Sequence, residues 1–308
     1  LGNLGSNANL NYLTQGVTTV VTGNCGSGPL KIAETKAKWE QQGIGSNAIL
    51  QVGHGTVRRQ VSGAKPRAVT AEELEKMKML VRNAMKEGAW GMSTGLQYIP
   101  GRYANTEEVI ALAKVVAEFG GVYASHQRHE GKYMVEATQE TIRIAEEARL
   151  PCNVSHIKAG GKKSAWGLMK EAVKVINEAR SRGLSITADM YSYAEAGGGS
   201  LSSVFNIPVD MEPLAEIRTK MRDRSLPAKE REKLRKQYAD ELANVLSDPI
   251  KREKIRKLTA EGCPDCPNYV MMFYWDSLCI TRAKKNTHLL GKTLDEVAED
   301  RKREQILN

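Results

Sequence analysis

Cysteine is scarce in this 308-residue chain: there are five, at positions 25, 152, 263, 266 and 279. An odd number of scattered cysteines excludes a disulfide framework and favours a reducing compartment, so the expected location is cytoplasmic. No apolar run reaches the roughly 18 to 20 residues that a membrane span requires, and Leu1 to Leu13 lacks the basic start and apolar middle of a signal peptide. No membrane partner is therefore expected. No Gly-x-Gly-x-x-Gly opens a helix after a strand, which removes the usual reason for a nucleotide-binding open sheet. Histidine is equally sparse, at 54, 126, 129, 156 and 288, and no two form His-x-His. Initiator methionine is absent as well, and the chain opens in mid-pattern, as expected if the true N-terminus is missing.

What is present is an ordinary globular composition, with 41% apolar residues, enough for a sizeable core in one large α/β domain or two smaller ones. The net charge of +9 raises the question of nucleic acid. Its distribution argues against that partner: Ile217 to Leu258 holds 14 Lys and Arg against 7 Asp and Glu, with Tyr238 as its one aromatic. Interleaved glutamates make this a solvated helix face. Cys263-Pro-Asp-Cys266 has the spacing of a zinc knuckle or redox pair, but no second pair or nearby histidine completes it, so a loop is expected.

The chemistry concentrates between Gly121 and Gly161. Val122 to Ser125 reads as a buried strand followed at once by His126, and Cys152 to Ser155 repeats the pattern before His156, with one helix, Tyr133 to Ala148, between them. Parallel strands point their C-terminal ends to one face, so the two imidazoles should converge there and suggest a metal site. Gly16 to Thr22 is a β-branched run expected to be a fully buried strand, and it delivers Cys25 to the same kind of position. Asn47 to Val52 ends in Gly53-His54-Gly55, which makes His54 either a further candidate for that face or a structural hydrogen-bonder.

Thr70 and Glu73 form a capping box, with Leu74, Met77, Val81 and Ala84 on one helix face. Asn105 caps a second helix striped by Val109, Leu112, Ala113 and Val116, and Trp166 to Arg182 is a third. Strands at Ala89 to Thr94 and Ser185 to Asp189 bring the count to six, separated by connections long enough for crossover helices, although Gly28 to Ser46 is less clearly helical. Both an open doubly wound sheet and a closed barrel satisfy such alternation. Candidate residues at four or more strand ends suit the (β/α)8 barrel, whose loops surround one mouth.

The motifs resemble those of the N-acyl-D-amino-acid deacylases, or D-aminoacylases, of the amidohydrolase superfamily. The resemblance rests on Gln15-Gly-Val-Thr-Thr-Val-Val-Thr-Gly-Asn-Cys25-Gly, Gly53-His-Gly-Thr-Val-Arg58, Gly91-Met-Ser-Thr-Gly-Leu-Gln-Tyr98, Ser125-His-Gln-Arg-His-Glu-Gly131, Val154-Ser-His-Ile-Lys158, Ala188-Asp-Met-Tyr-Ser-Tyr193 and Gly291-Lys-Thr-Leu-Asp-Glu-Val-Ala298. It implies a TIM-like (β/α)8 barrel of the metal-dependent amidohydrolase type, holding Zn2+ through Cys25, His126 and His156 after its second, fifth and sixth strands. It also implies Lys158 as the cation for the substrate's free carboxylate, and Tyr98 and Tyr191 as tyrosines lining the substrate site, although buried core tyrosines would fit the sequence nearly as well.

Two family features have no counterpart here. The family's first strand ends in His-x-His, and its eighth carries an aspartate, the general base that passes a proton from the attacking water to the leaving amine. The expectation is an incomplete barrel with strands 2 to 7 present and 1 and 8 missing, no catalytic base within the chain, and an Asp beyond Asn308. Asp189 is expected to be a structural hydrogen-bonder. Residues 1–200 would form the catalytic core, and 201–308 a charged helical insertion and a C-terminal segment leading toward a missing last strand. The implied activity is zinc-dependent hydrolysis of N-acyl-D-amino acids to a carboxylate and a D-amino acid, with the chain as given inactive. The alternatives are another amidohydrolase, acting on a cyclic amide or dipeptide, and a non-catalytic truncated homologue.

Overall fold

The computed structural model describes residues 7–161, 165–193, 207, 211–221, 226–261 and 275–307. Six parallel strands form one sheet: β1 (Thr19–Thr22), β2 (Asn47–Gly53), β3 (Gly91–Gly95), β4 (Val122–His126), β5 (Cys152–Val154) and β6 (Ile186–Ala188). Their spatial order is their order in sequence, and every neighbouring pair is parallel. A doubly wound sheet reverses direction at a switch point, whereas successive strands added on one side are the winding of a barrel wall. Six parallel strands wound in this way match the incomplete (β/α)8 barrel expected from the sequence.

Helices supply the crossovers: α1 (Leu10–Leu13) precedes β1, and α2 (Ile32–Gln42), α3 (His54–Ser62), α4 (Ala71–Lys86), α5 (Thr106–Ala117), α6 (Met134–Ala148) and α7 (Leu168–Ser181) follow in turn. The capping box of α4 is formed, with Glu73 N–H on Thr70 Oγ1 and Thr70 N–H on the Glu73 carboxylate. It buries Met77, Val81 and Ala84, and Leu74 packs at the core margin. Fully burying a side chain such as Val or Met contributes about 1.5–3 kcal/mol, so this face, more than helix propensity, holds the helix down. Asn105 caps α5, accepting from Glu108 N–H at 2.8 Å, and Val109, Leu112, Ala113 and Val116 are all buried. Lying between α4 and α6, α5 buries residues on more than one side.

One expectation is borne out where the sequence signal was weak, and one needs correction. The Gly28 to Ser46 connection does contain a helix, α2, but among its described residues only Ile32 is buried, so no apolar stripe announces it. The run ending in β1 is not a fully buried strand: pairing begins at Thr19, and burial alternates between exposed and half-buried. The reason is its place at the sheet edge, where β2 is its partner among the described residues and Val21 is 49% exposed. At the opposite edge Thr187 and Ala188 of β6 are also exposed.

The chain divides into two compact units, one comprising Leu1–Ala159 and Ala165–Ser192 and containing the whole sheet. The second comprises Gly160–Ser164 and Tyr193–Asn308. Its helices α8 (Leu214–Met221), α9 (Ala228–Ser247) and α10 (Pro249–Glu261) gather around Ile207, Leu214, Ile217, Tyr238, Leu242, Val245 and Ile255, and α11 (Leu294–Leu307) lies further along. The basic residues of α9 project from a helix that buries Tyr238, Leu242 and Val245. Cys263, Cys266 and the Gly/Ser-rich stretch from Ala194 to Ser203 lie outside the described residues. Among the described residues no helix is long and apolar enough to cross a membrane.

Candidate metal centre

Cys25, His126 and His156 come together, with one ligand atom from each lying within 4.8 Å of the others. Cys25 follows β1 in a turn held against two other strands: Ser93 Oγ on β3 accepts Gly26 N–H at 3.0 Å, and its hydroxyl donates to Gly23 O. On β2, a Cβ on Gly53 would lie 2.2 Å from Gly28 N and 2.5 Å from Gly26 O, so only glycine lets this turn sit so close. Within it Cys25 takes φ +56°, and His156 takes φ +39° in its own turn after β5. Left-handed backbone at non-glycine residues costs on the order of 1–3 kcal/mol and persists where the surroundings over-determine it. At His156 the determinant is Asp189, whose Oδ1 accepts His156 N–H at 2.6 Å and whose Oδ2 accepts Asn153 Nδ2–H at 2.5 Å. Asp189 thus has the structural hydrogen-bonding role read from the sequence. His126 needs no turn, being the last residue of β4.

The spacing suits a tetrahedral cation. Zinc–sulfur and zinc–nitrogen bonds of ~2.3 and ~2.0–2.1 Å imply S···N edges of about 3.6 Å and an N···N edge of about 3.3 Å. Cys25 Sγ lies 3.6 Å from His156 Nε2 and 3.8 Å from His126 Nδ1, and the two nitrogens are 2.8 Å apart, so the imidazoles need to part by about half an ångström.

The outer nitrogens are occupied in a way that orients the inner ones. His126 Nε2–H donates to Gln97 Oε1 at 2.9 Å, leaving the Nδ1 lone pair toward Cys25, and His156 Nδ1–H faces Glu130 Oε1 at 3.1 Å. An acceptor behind each imidazole is the usual support of a metal-bound histidine. Burial holds His126 down at about 4, against a smaller upward pull from Glu130. At His156 burial pulls the same way, but hydrogen bonds to Cys25 and Glu130 prevail and push it up to about 9. The free site therefore keeps a proton at His156 that a bound cation would displace.

Around this centre lie the other residues singled out in the sequence. Lys158 Nζ contacts the Glu130 carboxylate, donates to His156 O at 3.1 Å and lies 5.4 Å from the ring centroid of Tyr191. The ring of Tyr98 is tilted on His126 with centroids 4.5 Å apart, and Tyr98 is 42% exposed, so neither it nor the half-buried Tyr191 is a core tyrosine. His54 does not join the centre. It begins α3 fully buried, with Nε2 2.9 Å from Glu108 Oε1, so its structural alternative holds.

No protein-family profile matches the chain. It is 35% identical over 204 residues to the D-aminoacylase of Alcaligenes xylosoxydans xylosoxydans, covering 59% of this chain and 42% of that protein. The N-acyl-D-glutamate deacylase of the same organism is 29% identical over 227 residues, covering 67% of this chain and 45% of the relative. The chain is related to the N-acyl-D-amino-acid deacylases. Solved structures agree: a D-aminoacylase crystal structure described as defining a novel subset of amidohydrolases superposes with TM-score 0.57 and 34% identity over 61% of this chain and 44% of that one. An N-acyl-D-glutamate deacylase from Bordetella bronchiseptica, complexed with zinc and a phosphonate inhibitor, gives TM-score 0.59 and 30% identity over 63% and 45%. The chain spans less than half the length of these relatives.

Sequence reasoning missed three residues that shape the centre. Gln97 and Glu130 sit inside quoted motifs, but only the fold reveals that they stand behind the two imidazoles. Ser93 is likewise an unremarkable strand residue until the Cys25 turn docks on it. Glu130 could have drawn notice as an acidic residue four positions after His126 in a turn rich in His and Arg.

Proposed function

We propose that this chain carries the metal-binding and substrate-carboxylate-binding part of a zinc-dependent amidohydrolase that cleaves N-acyl-D-amino acids to a carboxylate and a D-amino acid. Cys25, His126 and His156 would hold the zinc, leaving a fourth position open, as catalytic sites do. When bound, zinc acidifies a water and polarises an amide carbonyl. The observation that carries the reading is the meeting of one thiol and two oriented imidazoles at the C-terminal ends of β1, β4 and β5.

Lys158 would pair with the substrate's α-carboxylate, a charge-assisted contact that disfavours cyclic amides lacking that group. Tyr98 and Tyr191 would flank the bound substrate from either side of the centre. Residues 1–200 would constitute the catalytic core, with 201–308 as the charged helical insertion and C-terminal segment. Among the described residues two carboxylates touch His156, and both are occupied: Glu130 stands behind its ring, and Asp189 holds its backbone. As the family resemblance implies, the general base would be an Asp beyond Asn308.

Elemental analysis of the purified chain tests the metal site. About one zinc per chain is expected, lost in Cys25→Ala; a folded chain without zinc, or unchanged content in the variant, refutes it. In a version extended beyond Asn308, Lys158→Ala should raise KM strongly for N-acetyl-D-methionine and little for its uncharged amide. Equal losses on both would remove the carboxylate assignment, and comparable deacylation by the short and extended chains would place the base within residues 1–308.

A further inference from the structure

Glu130 is a buried carboxylate, with its side chain 5% exposed, between two groups that the proposed function uses differently. Its Oε1 lies 3.1 Å from His156 Nδ1 and also contacts Lys158 Nζ, and those two nitrogens are 3.1 Å apart. His126 Nε2 is a more distant neighbour at 3.9 Å. Taking an isolated carboxylate out of water is costly, and here the compensating partners are a candidate metal ligand and the candidate substrate cation. The turn bearing it is braced: Gln127 Nε2 donates to Thr138 Oγ1 at 2.8 Å, Gly131 N–H donates to His129 Nδ1 at 3.0 Å, and Arg128 pairs with Glu140 while donating to Arg102 O and Ala104 O. Glu130 is thus a fixed point to which His156 and Lys158 are tethered.

We propose that Glu130 is a positioning residue that couples the two halves of the site, holding the His156 ring with Nε2 toward the metal and presenting the Lys158 ammonium to the substrate carboxylate. This rests on the zinc amidohydrolase reading above. The physical reason is that one oxygen serves both cations. An anionic acceptor at Nδ1 orients the ring and makes it a stronger ligand. The same charge offsets the repulsion between a zinc ion and an ammonium two residues beyond one of its ligands. A substrate carboxylate approaching Lys158 therefore meets an ammonium already drawn to one place, and the ordering cost on binding falls accordingly.

The test uses the 308-residue chain, with zinc affinity measured by chelator competition in wild type, Glu130→Gln and the control Glu136→Gln, which removes the same charge from an exposed position on α6. Glu130→Gln should weaken zinc binding by about 10–100-fold, and Glu136→Gln by less than about twofold. In parallel, acetylation of Lys158 by acetic anhydride in the metal-free chain is followed by peptide mass spectrometry, with exposed Lys174 as reference. Glu130→Gln should acetylate Lys158 several-fold faster. If Glu130→Gln does not fold, Glu130→Asp, which draws the carboxylate back by one methylene, is read in the same two assays.

A folded variant that keeps wild-type zinc affinity and wild-type Lys158 reactivity overturns the proposal and leaves the metal centre standing. A wild-type chain that takes no zinc overturns the metal reading, and with it the role of Glu130 toward His156. The tether to Lys158 is then decided by the metal-free labelling alone, where an unchanged rate refutes it.

Discussion

Replacing Glu108 by alanine should be among the most damaging single changes in the sheet-bearing unit, at about 3–5 kcal/mol. The Glu108 carboxylate receives Arg58 Nε at 3.1 and 3.4 Å and lies 2.9 Å from His54 Nε2, and the side chains of Arg58, His54 and Glu108 are 0%, 0% and 2% exposed. Arg58 Nη2 also donates to Arg67 O at 2.6 Å, and among the described residues Arg58 Nη1 and His54 Nδ1 have no hydrogen-bond partner, so Glu108 is the one carboxylate that compensates this buried cation. Removing the carboxylate strands a buried guanidinium without its counter-charge, and each lost charged hydrogen bond is worth roughly 1.5–3 kcal/mol. The control lies one residue earlier: Glu107 pairs with Arg143 at 3.0 Å, but those side chains are 65% and 50% exposed, so Glu107→Ala should cost less than about 1 kcal/mol. Urea denaturation followed by circular dichroism compares the two. A double variant, Glu108→Leu with Arg58→Met, should recover much of the loss by removing the charge altogether. If Glu108→Ala falls within 1 kcal/mol of Glu107→Ala, the argument that this pair is a buried ionic unit is wrong.

Gln97→Leu should leave the fold intact and weaken zinc binding by about 10–100-fold, because His126 Nε2–H loses its acceptor; chelator competition reads this, and an unchanged affinity counts against the orientation described. Gly53→Ala should displace the Cys25 turn, since its Cβ would meet Gly28 N at 2.2 Å, so both urea midpoint and zinc content should drop, and wild-type values for both would show that the close approach is not real. His129 is held down at about 4, chiefly by burial, while its Nδ1 accepts from Gly131 N–H. Because the unfolded chain binds this proton more readily, the associated stability is complete above about pH 6.5 and lost as pH falls toward about 4, with a magnitude on the order of 1–2 kcal/mol after allowance for partial exposure. His129→Gln should flatten that part of the pH–stability curve measured by urea midpoints, and an identical slope would exclude His129 as its source.

Strand–helix alternation, the stripes on α4 and α5 and the residues just past three strand ends are local patterns, so the chain displays them without folding. That is why six strands and the set Cys25, His126 and His156 can be read from the sequence together with its family resemblance. Alternation alone could not choose between a doubly wound sheet and a barrel wall, because strand order is a matter of which strands pair; the sequential order of β1 to β6 settles it. Helix α2 was unclear because Ile32 is its one buried residue among those described, and a helix that contributes so little to the core leaves no apolar period. His54 could not be assigned either, since its environment is set by Glu108, 54 residues later in the chain. The same holds for Gln97 and Glu130: their roles depend on the ring nitrogens of His126 and His156, 29 and 26 positions further on, turning toward them. The elements and the chemistry available at their ends are legible before folding, because both follow from local spacing. Which acceptor stands behind which imidazole, and that His54 stays out of the centre, depend on packing, because hydrogen bonding and burial are set by neighbours that the chain brings together by folding.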